Sequence, residues 1–351
     1  MRKIWILMPI VLSLTLGLML SFALLKNPGN MALSASPGTI DTASIHQSLD
    51  ILADDLNELR LDVESINGNL EQQAEEYAAQ REKLQQLAKN AQDYKESSDD
   101  IYEAKIISLL GDPVGFSNTK SSSIMVFDFY KIDYRGFVAK VTPKQQKAIS
   151  VRMAENSQRE TTSVALKRAG GVLAINGGGF YSAVSQGKTV YLPLGNTVVA
   201  GELVGDFVPT YKNLTFTGFT NSGKLIGGEF ETKEELMDTE PYAGVTFVPQ
   251  LLSGGKKTAI PSQWAAAKQP RTIVGEYPNK DILMIVIDGR QSDWSSGVTL
   301  EEAQDVLIQL GIKEAYNLDG GGSTSMVFNG EVLNKPSDGV ERPVVSNIIV
   351  Q

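Results

Sequence analysis

The spacing of hydrophobic residues changes along this chain, and each change predicts a different element. Residues 4–25 (IWILMPIVLSLTLGLMLSFALL) run without a single charge. About 20 apolar residues span a bilayer core, so the stretch predicts a transmembrane anchor. Arg2 and Lys3 precede it and Lys26 follows. The positive-inside rule then leaves residues 1–3 as a cytoplasmic tip and sends everything beyond Lys26 outside. A cleaved signal peptide ending in ALSAS (Ala32–Ser36) is the alternative, although signal cores usually run only about 7–15 residues. On either reading the body of the protein is exported.

Residues 26–40 form a linker carrying Pro28, Gly29, Pro37 and Gly38. The period then becomes a 4-3 alternation. Ile45, Leu52, Leu59, Ile66, Leu87, Tyr94 and Ile101 share one heptad position, which Gln73 and Gln80 interrupt. Leu49, Leu56, Val63, Leu70, Tyr77, Leu84 and Ala91 share the other. This pattern predicts a coiled-coil stalk over 41–102 and a homo-oligomer, with dimer and trimer undistinguished. A straight helix of about seven heptads would extend roughly 75 Å. A helical hairpin turning at Asn67-Gly68-Asn69 is the competing arrangement.

From about residue 105 short alternating runs such as SIMVFDFYKI and GFVAKVT predict half-buried strands. VLAIN (Val172–Asn176) and DILMIVID (Asp281–Asp288) are strongly apolar runs that end in Asn176 and Asp288. Few helices interrupt them. TSVALKRA stops at Gly170, and LEEAQDVLIQL opens on the capping box Thr299-x-x-Glu302 and stops at Gly311. The fold class is therefore α+β: a mixed, mostly β domain over 105–351, preceded by the membrane helix and the long coiled-coil helix.

Charge and composition narrow the chemistry. Residues 41–100 hold 15 Asp or Glu against 5 Lys or Arg, while the whole chain is −9. The acidity thus belongs to the stalk, and no basic nucleic-acid footprint exists. The chain has no cysteine and one histidine, His46. Disulfides, zinc-thiolate centres, a cysteine nucleophile and a Ser-His-Asp triad are excluded or strongly disfavoured. Carboxylates, arginines, hydroxyls and backbone amides remain.

Three apolar strands end in polar, glycine-rich turns: Asn176 before Gly177 and Gly178, Asp288 before Gly289 and Arg290, and Asn317-Leu318-Asp319 before Gly320, Gly321, Gly322 and Ser323. Glycine lets backbone approach a ligand closely. The last turn is not a Walker A loop, because the G-K-[S/T] ending is missing. With Arg271 and Arg342 added, the set suits an anionic, hydroxyl-rich ligand, since guanidinium pairs bidentately with phosphate. Each turn taken singly is equally compatible with an ordinary strand connection.

AINGGGFY, QPRTIVG, VIDGRQ, the capping box, NLDGGGSTSMVFNGEVLNKPSDG and ERPVVSNIIV together, in that order, resemble the phosphodiester glycosidase family over roughly 105–351. One departure is Gly179, where many relatives carry an aromatic residue. The resemblance implies hydrolysis of a sugar-1-phosphodiester to free sugar and a phosphomonoester. It implies Asp319, Asp288 and Arg271 as catalytic residues, Asp319 foremost, with the carboxylates as base, nucleophile or oxocarbenium stabiliser. Arg271 and Arg342 would hold the phosphate, and Asn176 and the glycine amides would orient the sugar. Arg290, Asn317, Gly320, Gly321 and Ser323 complete the expected substrate-binding set. An exported, anchored enzyme of this kind would act on bacterial envelope glycans or exopolysaccharide. No cofactor is called for. Metal-dependent phosphodiesterase chemistry would need more hard ligands than Asp288 and Asp319 supply, and EDTA sensitivity would be its sign. A scaffold whose head binds glycan or a protein without turnover is the other class.

Overall fold

The computed structural model describes residues 42–211 and 213–351. The anchor read over 4–25 and the 26–40 linker lie outside the described residues. No helix among the described residues is long and apolar enough to cross a membrane. The chain divides into two compact units, Met1–Gln86 and Leu87–Gln351.

All described residues of the first unit belong to one helix, Thr42–Leu110. It passes through Asn67-Gly68-Asn69 without a break, so the hairpin alternative does not hold. The helix also runs on past 102, the stalk boundary read from the sequence. Ile106 is fully buried, and Tyr102, Ile107 and Leu110 pack against the same apolar cluster of the second unit. The last turns of the helix therefore belong to the globular head.

The head is built on an eight-stranded sheet in the order Gly115–Asn118, Ser122–Tyr130, Arg135–Pro143, Ile282–Ile287, Arg271–Glu276, Glu314–Asn317, Gln250–Ser253, Lys256–Lys257. A five-stranded sheet runs Glu331–Val332, Met326–Phe328, Leu173–Asn176, Ser346–Val350, Ile149–Met153, and another is centred on Thr215–Thr220 and Pro241–Phe247. The pairings are antiparallel throughout the first two sheets.

Period-two geometry explains why Ile282–Ile287 is apolar at every position. Ile282, Met284 and Val286 face a core shared with both smaller sheets. Leu283, Ile285 and Ile287 face the opposite core, against the helix Leu300–Leu310 and Ile106. That helix starts as its sequence predicts: the Thr299 hydroxyl accepts from the Glu302 amide, and the Glu302 carboxylate accepts from the Thr299 amide. Gly311 ends it in the left-handed region.

Truncating a buried aliphatic side chain costs about 2–5 kcal/mol. Ile106→Ala is expected to lower head stability by about 3 kcal/mol in denaturant titration. A loss under about 1 kcal/mol would show that the helix end is not part of the head's core.

Candidate active site

Sheet register brings the predicted strand ends together. Arg271 pairs with Ile287 and Ile273 pairs with Asn317, so Arg271, Asp288 and Asp319 lie at the same end of three neighbouring strands of the eight-stranded sheet. Asn176 arrives from the neighbouring sheet. Its Nδ2 donates to the Asp319 carbonyl at 2.6 Å, while its Oδ1 accepts from Thr272 Oγ1 at 2.7 Å and from the Ser325 amide at 3.1 Å. One fully buried amide thus ties the two sheets together beneath Asp319.

The turn after Asp319 is shaped by what its glycines lack. A Cβ on Gly320 would lie 2.6 Å from the Pro270 carbonyl oxygen, and one on Gly321 would lie 2.9 Å from Arg290 Nη2. A Cβ on Gly322 would overlap the Arg342 guanidinium and stand 2.5 Å from Asp338 Oδ2. Two guanidiniums therefore lie directly against this main chain. Gly321 also has φ of 57°, which favours glycine. Arg342 donates to Asp338 through Nε at 3.0 Å and Nη2 at 2.7 Å. Arg290 is fixed by its Nε, which donates to Gln269 Oε1 at 2.6 Å.

Burial pushes the Asp319 carboxyl up to about 6, against a hydrogen bond from Ser323, the charge of Arg342 and the Gly320 amide, which all favour ionisation. The residue as a whole nonetheless remains partly exposed. The Arg342 hydrogen bonds hold Asp338 below the usual carboxylate range. Burial, then the neighbouring charge of Arg290, lowers Arg271 to about 10. Arg271 spends Nε on the Val298 carbonyl and Nη2 on the Ala267 carbonyl, so it contributes charge from beneath the surface.

Other predicted residues serve the scaffold. The buried Asp288 carboxylate accepts from Trp294 Nε1 at 2.9 Å, from Asn334 Nδ2 at 3.0 Å and from the Lys335 amide at 3.0 and 3.1 Å. A carboxylate so fully engaged organises the 291–296 and 334–335 segments, and it is not placed to act as base or nucleophile. Asn317 donates to the Val248 carbonyl and is buried. The amides of Gly177 and Gly178 go to the Ser346 carbonyl and hydroxyl, so they are closed to a ligand. Asn176, equally buried, positions Asp319 and does not reach a sugar. At the departing position, a Cβ on Gly179 would come 2.8 Å from the Phe247 ring, which occupies that space instead.

Residues 169–351 match the phosphodiester glycosidase family. The chain belongs to that family. It is 29% identical over 207 residues to an uncharacterized SPβ prophage-derived protein of Bacillus subtilis, covering 55% of this chain and 30% of that one. It is 29% identical over 199 residues to N-acetylglucosamine-1-phosphodiester alpha-N-acetylglucosaminidase of Bos taurus, covering 52% and 36%. The chain thus spans about a third of the length of these relatives. The solved catalytic domain of the zebrafish N-acetylglucosamine-1-phosphodiester alpha-N-acetylglucosaminidase, auto-inhibited by pro-peptide, shares the fold with a TM-score of 0.55 and 22% identity, covering 67% of this chain and 84% of that one.

Asp338 and Gln269 are members of the constellation that motif reading passes over. Asp338 lies inside the family segment NKPSDG, four residues before Arg342, and that spacing was the available signal. Glu341, the sequence neighbour of Arg342, accepts from Ser163 and Ser325.

The two strand-end aspartates should separate in stability. Asp288→Asn leaves buried donors facing an amide, a loss of about 1–3 kcal/mol. Asp319 has a raised folded-state pKa, so its ionisation erodes stability as pH rises through about 6. Asp319→Asn at pH 8 is therefore expected to be neutral or stabilising by thermal melting. Equal destabilisation by both would contradict this division.

Proposed function

We propose that this protein hydrolyses sugar-1-phosphodiesters in envelope glycans or exopolysaccharide, held at the outer face of a bacterial cell membrane by residues 4–25. The observation carrying the reading is the partly exposed Asp319, with a carboxyl near 6, beside a turn on which Arg290 and Arg342 rest. Family membership and the printed activity of the bovine relative support the substrate class.

In the proposed step, Asp319 takes a proton from water as the water oxygen attacks C1. The C1–O bond to phosphate breaks, and the electron pair leaves with the phosphomonoester. A base with a pKa just below the working pH is well matched to this role. Arg342 and Arg290 meet the charge growing on the phosphate, and buried Arg271 adds its field, which is strongest where water is excluded. Because phosphate leaves as a stabilised anion, no strong general acid is required.

The full chain in detergent, incubated with UDP-GlcNAc or another GlcNAc-1-phosphodiester, is expected to release free sugar. Asp319 must be ionised to act, so kcat/KM should rise with pH through about 6. Asp319→Asn should lose about 100- to 10,000-fold. If no candidate diester turns over while Asp319→Asn binds glycan as well as the parent, the head is a binding module on a scaffold.

A further inference from the structure

The helix of the first unit carries an apolar stripe that is exposed among the described residues. Leu56, Val63 and Leu70 form one row and Leu52, Leu59 and Ile66 the other, with Tyr77 and Leu84 continuing the first; all are between 54% and 70% exposed. The rows alternate by four and three residues, the spacing at which an underwound helix keeps one seam toward a partner. Ile51 and Leu61 lie off this seam. Asp55, Asp62, Asn69 and Glu76 line one flank, and Ala53, Arg60, Asn67, Ala74 and Arg81 line the other. A two-row stripe at this spacing is the seam of a coiled coil.

We infer that this helix pairs with the same helix of a second copy of the chain, parallel and in register. Charge sets the orientation. In a parallel pair, each flank residue before the first row faces the opposite flank residue five positions later in the other copy. Asp55 then meets Arg60 of the second copy, and Glu76 meets Arg81 of the second copy. Both basic flank residues between 50 and 82 find an acid, and no facing pair in this stretch has like charges. In an antiparallel pair, like flanks face each other, which sets acid against acid. Within one chain Arg60 meets only a loose, exposed contact with Glu64 at 4.0 Å, so it is free to bridge.

Polar layers set the register. Gln73 and Gln80 occupy the second row. In register, each amide faces its own copy and can hydrogen-bond to it. A one-heptad slip would set Gln73 against Ile66 and leave amides unpaired in an apolar seam, which is costly.

The absence of native cysteine allows a direct test on the full chain in detergent. Leu52→Cys and Gln73→Cys, made separately and oxidised, should each give a disulfide-linked pair of chains, while Gln72→Cys on the solvent face should not. An antiparallel pair lets at most one seam position meet its own copy, so cross-linking at only one of the two overturns the proposal. Sedimentation equilibrium should return two chains per particle; one or three chains overturns it. Arg60→Glu with Arg81→Glu should weaken dimerisation about 10-fold, and adding Asp55→Lys with Glu76→Lys should restore it. An unchanged Kd in the first pair would remove the basis for the orientation.

Discussion

The absence of side chains at Gly320, Gly321 and Gly322 is the constraint on which the candidate site depends. Space that a Cβ would fill is taken by the Pro270 carbonyl, the Arg290 guanidinium and the Arg342–Asp338 pair. Cationic groups can come this close to a main chain only where nothing projects from it. From beneath, Asn176 holds the Asp319 carbonyl and joins it to Thr272 and Ser325. The turn is thus clamped from two sheets, and Asp319 is left where burial raises its carboxyl without sealing it from a ligand.

That clamp divides the labour between two aspartates that look alike in sequence. Both end an apolar strand and precede a glycine. Asp288 is surrounded by the indole of Trp294, the amide of Asn334 and the backbone of Lys335, and its charge is consumed in holding loops. Trp294 is in turn fixed from its face by Arg135 at 4.3 Å and Lys335 at 5.1 Å. Asp288 holds loops, whereas Asp319 stays partly exposed beside the glycine turn.

Much of the fold was legible in the sequence where local rules and tertiary demands agree. The capping box at Thr299, the glycine stops at Gly170 and Gly311, and the two-faced burial of Ile282–Ile287 follow from spacing alone. The turn after Asp319 was legible as a close approach of main chain to other groups, because three consecutive glycines need an explanation. Occupancy was not legible. Asn176 and Asp288 carry groups suited to a ligand, but neighbours elsewhere in the chain consume them, and no spacing rule announces the partners of Asn176 96 or 143 residues away. Asp338 was overlooked for the converse reason: a Ser-Asp-Gly turn reads as a surface connection until Arg342 is seen to close on it. The helix end past 102 was missed because burial of Ile106 depends on the sheet it meets.

The account rests on cleavage at the sugar carbon, with Asp319 aiming water at C1 and the arginines receiving the departing phosphate. Hydrolysis of a GlcNAc-1-phosphodiester by the full chain in ¹⁸O-water locates the broken bond directly. The account predicts that the label appears in the released sugar and that the phosphomonoester stays unlabelled. Label in the phosphomonoester would mean attack at phosphorus, and would contradict it.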